Sequence, residues 1–274
     1  MTLAGIEPQL VLELGLLGIG TGFFAGLLGI GGGMIMVPFL TRILTQRGVA
    51  SDLAVKMAIA TAMATILFTS LATMRANQRR GVIRWDIVRA MTPGIVLGGL
   101  VAGAGAFALL KGQALALGFA AFVGYSATQM LRPQAPQPSR QLPGAVVLTL
   151  VGGGVGFLAG LVGTGGAVVA VPFMTRRNVP IHNAVATGAA IGLPIALANS
   201  TGYLIGGWSQ PTALPGALGY FYLPALIVVS LASVLIAPLG ARTAHALNLR
   251  QLRLIFAGVL YLLAADMLWR GLQG

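Results

Sequence analysis

Two glycine-rich turns, GIGGG at 29–33 and GTGG at 163–166, interrupt apolar segments of this chain. Consecutive glycines break a helix and expose backbone N–H groups, and a proline follows each turn, at Pro38 and Pro172. Helices that begin at these turns would direct partial positive charge toward a bound anion. A tight interhelical turn without a ligand is the alternative. The residues predicted to bind an anion are Gly31, Gly32, Gly33, Gly165 and Gly166, with Pro38 and Pro172 as helix breaks or hinges.

Four polar side chains within apolar segments are candidates to contact the same ligand. Thr61 and Thr187 occupy matching places in alanine-rich segments, at an offset of 126 residues. Each hydroxyl either donates to a ligand or bonds to a carbonyl of its own helix. Asn199 is predicted to bind ligand or to bridge helices. Lys56 is predicted to snorkel, to pair with Asp52, or to supply the counter-charge for an anion.

The acidic residues limit the chemistry. The chain has five carboxylates and no cysteine, and most of the carboxylates lie at segment ends or in loops. A cation carrier needs buried carboxylates, so anionic cargo fits better. The two histidines are far apart, and no metalloprotease, serine-hydrolase, paired-carboxylate or phosphate-loop motif occurs. We therefore predict that the chain is not an enzyme or an ATPase and that it uses no cofactor and no metal.

The whole chain is apolar and duplicated. Hydrophobic residues make up 57% of its 274 positions and charged residues 8%, too few charges for the surface of a soluble domain. Residues 20–41 and 154–175 are identical at 13 of 22 positions. Internal duplication in so apolar a chain is typical of transporters whose halves enclose a site. The net charge of +12 comes mainly from arginines between apolar runs, which indicates positive-inside topology and no nucleic-acid partner.

Eight apolar runs have about the length of a membrane-spanning helix. They cover roughly residues 10–29, 53–73, 87–110, 113–131, 144–162, 184–206, 217–239 and 249–268. Two shorter pieces, 34–44 and 167–175, follow the glycine turns. If both pieces reverse the chain, 12 of the 17 Lys and Arg residues share one side; otherwise the basic residues divide evenly.

The predicted fold is therefore all-α: a polytopic transmembrane bundle of two homologous halves. It contains eight long helices and two short broken or re-entrant helices, and five crossings per half make the repeats inverted. A parallel duplication with eight spans is the alternative. The predicted halves are residues 1–131 and 144–274, and the proline-rich segment 132–143 links them. Glycines at every fourth position, 18, 22 and 26 and again 152, 156 and 160, predict close helix approach.

The duplicated glycine element, the alanine-threonine segments at Thr61 and Thr187, the basic loop at 75–85 and Asn199 together resemble the TauE/SafE family of sulfite exporters. The resemblance covers essentially the whole chain. It points to the glycine turns with Pro38 and Pro172, and to both threonines. This chain departs from the family at Ala62 and Gly188, because a serine often follows the threonine in family members, and a symmetric Thr/Ser anion clamp is thus incomplete here.

The resemblance implies a secondary carrier of sulfite, sulfoacetate or related organosulfur and carboxylate anions in the bacterial inner membrane. Together, residues and resemblance predict alternating access around a midplane anion site, coupled to a proton or ion gradient. The expected partners are a small anion, the lipid bilayer and, as an open possibility, a second copy of the chain. An anion channel is the nearest alternative, a membrane-embedded enzyme a more distant one, and a structural or sensory protein the third.

Overall fold

The computed structural model describes residues 7–28, 32–131, 141–210, 214–244 and 249–273, and this part is almost entirely helical. The first repeat contains α1 (Pro8–Leu28), α2 (Gly33–Gln46), α3 (Ser51–Arg79), α4 (Trp85–Leu109) and α5 (Gly112–Leu131). The second repeat contains α6 (Ala145–Val162), α7 (Ala167–Thr175), α8 (Ile181–Gly207), α9 (Leu223–Ala244) and α10 (Leu249–Gln273). Eight of these helices are long and two, α2 and α7, are short, so the predicted all-α architecture is confirmed. Most of the expected linker lies outside the described residues.

Length and composition identify this bundle as a membrane protein. Seven of its described helices are long and apolar enough to cross a bilayer. Large aliphatic side chains cover their outer faces, and fully apolar surface of this extent is stable only against lipid. Among the most exposed are Leu97, Val101, Val146, Leu150, Leu231 and Leu235.

One apolar run begins differently from the prediction. Residues 217–222 form a two-stranded antiparallel hairpin, β1 (Ala217–Leu218) and β2 (Phe221–Tyr222), and α9 starts only at Leu223. Gly216 and Gly219 adopt positive φ of 83° and 54°, a backbone conformation that ends helical continuity. Most of the hairpin is buried, with Tyr220 1% exposed, whereas Leu218 is 45% exposed. Composition alone does not separate such a buried hairpin from a helix.

Contacts between glycines and facing helices give the direction of each helix. Along α1 and α9, a methyl group at Gly18 would meet Ala232, and one at Gly22 would meet Ser233. Gly26 meets Ala237 in the same way. The residue numbers rise together, so α1 and α9 are parallel.

Two further pairs complete the topology. Helices α4 and α8 are also parallel, because Gly99 lies against Ala198 and Gly103 against Gly202. Helices α5 and α10 are antiparallel: Gly271 lies against Leu117, and Tyr261 shares a 2.8 Å hydrogen bond with Thr128. These relations are obtained only if α2 and α7 each reverse the chain. The equivalent helices α5 and α10 therefore run in opposite directions, as inverted repeats require.

Each repeat packs its first helix against the other repeat. The first helix of each repeat lies along the fourth helix of the other, α1 on α9 and α6 on α4. The predicted glycine stripes line both contacts: a methyl group at Gly22 would lie 2.5 Å from the Ser233 Cα, and one at Gly156 would lie 2.5 Å from the Ile95 carbonyl oxygen. Backbones approach so closely only where side chains are absent.

Candidate functional site

The two glycine breaks touch each other inside the bundle. Helix α2 begins at Gly33, and a methyl group there would overlap the carbonyl oxygen of Gly163. Gly163 and Gly166 adopt positive φ of 73° and 69°, so the turn between α6 and α7 requires residues without a side chain. The structure thus brings Gly33 together with the second turn, while Gly32 lies against Thr21 of α1. Gly31 lies outside the described residues.

A small cavity lies at the start of α2. Its volume is about 10 Å³, room for about one water molecule. Gly32 and Gly33 form one wall, and four hydroxyl-bearing side chains, each at most 7% exposed, approach from three other helices. These side chains are Thr21, Thr65, Thr69 and Ser233. None of the ten residues that line this hydroxyl-lined cavity is ionisable.

The cavity hydroxyls donate hydrogen bonds to helix carbonyls. Thr65 donates to the Thr61 carbonyl at 3.0 Å, and Ser233 donates to the Gly18 carbonyl at 3.0 Å. Thr21 donates to the Leu17 carbonyl at 2.8 Å and its Oγ1 lies 3.1 Å from the Ser233 Oγ. Each hydroxyl can rotate about its C–O bond and donate to a ligand.

The second break is filled by aliphatic side chains. A methyl group at Gly166 would overlap Ile195 and would lie 2.9 Å from Val155. The Gly165 carbonyl lies against Gly192 of α8. Thr164 is 1% exposed and its Oγ1 has no hydrogen-bond partner among the described residues. A buried hydroxyl without a partner costs free energy, and Thr164 is not among the residues that line the cavity at the start of α2.

The two prolines lie one turn inside the short helices. Pro38 in α2 and Pro172 in α7 remove the N–H groups that would bond to the carbonyls of Met34 and Val168. Pro38 is buried. A hinge role for both residues stays a prediction.

Thr61 and Thr187 make equivalent bonds across the repeats. The Tyr222 N–H, immediately before α9, donates to Thr61 Oγ1 at 3.0 Å. The Arg84 N–H, immediately before α4, donates to Thr187 Oγ1 at 3.0 Å. Each threonine therefore satisfies a backbone donor at the start of a helix in the other repeat. Neither lines the hydroxyl-lined cavity, and their predicted contact with substrate stays a prediction.

Asn199 and Lys56 also lie outside that cavity. Asn199 is fully buried; its Nδ2 donates to the Gly156 carbonyl at 3.3 Å, which bridges α8 to α6, while its Oδ1 has no partner among the described residues. Lys56 is 9% exposed and its Nζ donates to the Ala108 carbonyl at 3.4 Å. Asp52 does not pair with Lys56 but accepts from the Gly112 N–H. Lys56 is nine residues before Thr65, ~14 Å along the helix.

An open depression lies where α1 and α9 begin and α2 ends. Its volume is about 600 Å³, and Tyr222 is among its lining residues. An Arg47–Glu7 ion pair of 3.3 Å lies at its rim. Burial raises the pKa of the Tyr222 hydroxyl, and burial together with the Asp52 charge raises that of Tyr220. Both hydroxyls therefore remain protonated at neutral pH.

Comparison with known proteins agrees with this architecture. The sulfite exporter TauE/SafE family model matches residues 14–267. The chain belongs to the TauE/SafE family. A "Probable membrane transporter protein" of Haemophilus influenzae is 31% identical over 253 residues, which cover 92% of this chain and 96% of that protein. No solved structure matches the chain.

Membership of the TauE/SafE family makes this chain a multi-pass membrane protein of a transporter family. Sequence reasoning located the glycine breaks but missed the four cavity hydroxyls and Thr164. Thr61, Thr65 and Thr69 recur at four-residue spacing. This row of hydroxyls on one face of α3 could have indicated Thr65 and Thr69 from the sequence. The sequence could not have predicted that Thr21 and Ser233 lie together, because the two residues are 212 positions apart.

Proposed function

We propose that this chain is a secondary transporter that carries small anions across the bacterial inner membrane by alternating access. The observation that carries the proposal is the meeting of the two glycine breaks beside the hydroxyl-lined cavity. Backbone N–H groups at the start of α2 and the nearby hydroxyls are hydrogen-bond donors, which suit an oxyanion such as sulfite, a sulfonate or a carboxylate.

Alternating access accounts for the small size of the cavity. At about 10 Å³ the cavity holds no anion larger than water, so binding requires the breaks to separate. The exchanged packing of α1 with α9 and of α6 with α4 supplies two glycine-lined contacts at which one group of helices can move against the other. A proton or ion gradient supplies the energy, because the chain has no nucleotide-binding motif.

Counterflow of radiolabelled sulfite and sulfoacetate in proteoliposomes tests the proposal. We expect saturable, protein-dependent uptake that changes when an imposed pH gradient is collapsed. Flux that rises linearly with concentration and shows no counterflow would indicate a channel instead. Chemical conversion of the anion by the purified protein would indicate an enzyme.

Variants at the breaks connect the flux to the site. Gly32→Leu and Gly165→Leu should abolish flux while the protein still inserts, because a Cβ at Gly32 would lie 2.9 Å from the Thr21 side chain and Gly165 is buried at the second break. Gly20→Leu and Gly154→Leu are the matched controls: they occupy equivalent places in the two repeats, and a Cβ at either meets nothing within 4 Å. Equal flux in all four variants would remove the glycine breaks from the mechanism.

A further inference from the structure

One lysine is buried without a counter-charge. Among the side chains that the structure describes, Lys56 is the only Lys, Arg, Asp or Glu that is buried, at 9% exposed. Its Nζ donates to the Ala108 carbonyl at 3.4 Å and lies 5.9 Å from the centre of the Tyr220 ring. All five side-chain carboxylates belong to the described residues, and none lies within 4.0 Å of this Nζ. The charge of Lys56 is thus without an ion-pair partner.

Burial leaves this ammonium group short of hydrogen-bond acceptors as well. An ammonium carries three N–H donors, and the hydrogen bond to Ala108 uses one of them. Asp52, one turn earlier on α3, instead accepts from the Gly112 N–H. An unpaired buried charge costs free energy, and such residues in membrane proteins mark ion or substrate pathways. A bound oxyanion would supply both the missing negative charge and the missing acceptors.

The hairpin at 217–222 covers Lys56. Tyr220 in its turn is 1% exposed and packs against Phe107, with 5.4 Å between the ring centres. Gly216 and Tyr222, at the two ends of the same segment, line the open depression of about 600 Å³. The hairpin therefore lies between the depression and Lys56. Its strands pair at two positions only, and so short a ladder is marginally stable on its own, so displacement of the hairpin breaks few hydrogen bonds.

The second repeat carries a basic residue at the equivalent place. The offset of 126 residues pairs Lys56 with His182, and the inverted repeats put these two residues at opposite ends of the bundle. His182 is exposed. The segment before α4 corresponds to the end of the hairpin, as the bonds to Thr61 and Thr187 show, and its residues 80–84 form a turn without strands. A basic side chain thus occurs at both ends, covered at one and open at the other.

We propose that Lys56 is a second anion site, which binds the sulfonate, sulfite or carboxylate group of the cargo when the hairpin moves aside. The inference rests on the transport function proposed above. Lys56 and Thr65 are ~14 Å apart along α3, so one helix carries both this site and a wall of the hydroxyl-lined cavity. Cargo that enters from the depression would meet Lys56 first. An ammonium attracts oxyanions of one or two charges, so sulfite and sulfoacetate both suit the site.

Removal of the charge tests the site. Lys56→Met keeps the length of the side chain, and we expect it to raise the KM for sulfite at least tenfold. The thermal midpoint should stay unchanged or rise, because the variant removes an unpaired buried charge. An unchanged KM would overturn the inference. A midpoint below that of the parent protein would also overturn it, because Lys56 would then serve the fold.

The other lysine of the chain gives the matched control. Lys111 is exposed and directly precedes α5, whose first residue Gly112 contacts Asp52. Lys111→Met therefore removes the same charge from the same end of the bundle without touching the buried site. We expect its KM to stay within about twofold of the parent value. An equal rise of KM in both variants would overturn the specific site and indicate general attraction of anions to this end.

Chemical modification reports binding at Lys56 directly. In a Lys111→Arg background Lys56 is the only lysine, so reductive methylation with formaldehyde, followed by mass spectrometry of the lysine-containing peptide, measures its accessibility. We expect sulfoacetate to slow this methylation at least threefold, whereas potassium chloride at the same ionic strength does not. Equal rates in the two salts would overturn the inference. Absence of methylation in a protein that transports sulfite would overturn it too, because the hairpin would then never uncover Lys56.

The outcomes separate the two proposals. Absence of protein-dependent flux of either anion in the parent protein would overturn the transporter proposal, and with it the role of Lys56 in transport. Sulfite flux together with a Lys56 that sulfoacetate does not protect would overturn the second anion site and leave the transporter proposal intact.

Discussion

Gly33 is the residue at which the glycine breaks touch. We predict that Gly33→Ala lowers both the thermal midpoint and sulfite flux, because the added methyl group would overlap the Gly163 carbonyl oxygen and force the two breaks apart. Gly20→Ala is the control: its Cβ meets nothing within 4 Å, and alanine is favoured over glycine within a helix by up to about 1 kcal/mol. Equal thermal midpoints of the two variants would contradict the close contact.

Thr61 and Thr187 allow a structural role to be separated from substrate binding. Thr61→Val leaves the buried Tyr222 N–H without an acceptor, which costs about 1–3 kcal/mol. Thr187→Val does the same to the part-buried Arg84 N–H, at a smaller cost. We expect a lower thermal midpoint in both variants, recovery in Thr61→Ser and Thr187→Ser, and an unchanged KM for sulfite. A raised KM at an unchanged midpoint would instead show that these hydroxyls contact the substrate, as the sequence predicted.

At the scale of elements, the antiparallel pairing of α5 with α10 can be captured by a disulfide. An ideal Cβ at Gly124 lies 4.0 Å from the Ala264 Cβ, within the range of disulfide-bonded residues. The chain contains no cysteine, so Gly124→Cys with Ala264→Cys gives a background-free test. After oxidation, we expect the electrophoretic mobility of the double-cysteine protein to change, and we expect a reducing agent to reverse that change. The pair Gly118→Cys and Ala264→Cys is the control, because a Cβ at Gly118 meets nothing within 4 Å.

The elements also show how far the sequence predicts the fold. Apolar length located the eight long helices, and glycine with proline located α2 and α7, because these signals are local. The hairpin before α9 was missed, since its residues are as apolar as a helix. The packing of α1 on α9 and of α6 on α4 was not predictable either. Glycine stripes indicate close contact between helices but do not identify the partner helix.

The same distinction applies to the candidate site. The breaks at Gly32, Gly33, Gly165 and Gly166 follow from local composition, but the cavity beside them needs the tertiary contact between α1, α3 and α9. Alignment of the repeats in sequence already contrasts Thr21 with Val155. Only the structure shows that the Thr21 hydroxyl lies within hydrogen-bond distance of the Ser233 hydroxyl.

For the whole molecule, the direction of the helices combines with the charges to orient the chain. Because α2 and α7 both reverse the chain, the loops after α3, α5, α7 and α9 share one side. These loops and the adjoining helix ends contain 12 of the 17 Lys and Arg residues, and basic residues are retained on the cytoplasmic side. The ten described helices each reverse the chain, so the start of α1 and the end of α10 lie together on the opposite side, where the depression at Arg47 also lies.

We therefore predict that both termini face the periplasm. In whole cells, single cysteines introduced as Gln9→Cys and Gln273→Cys should react with a membrane-impermeant maleimide. Gln78→Cys, at the end of α3, should react only after the membrane is permeabilised, and the cysteine-free parent chain is the blank. Labelling of Gln78→Cys in intact cells with protection of both terminal sites would invert the orientation. Labelling of one terminus alone would contradict an even number of crossings, and with it the reversal of the chain at α2 or α7 on which the inverted repeats depend.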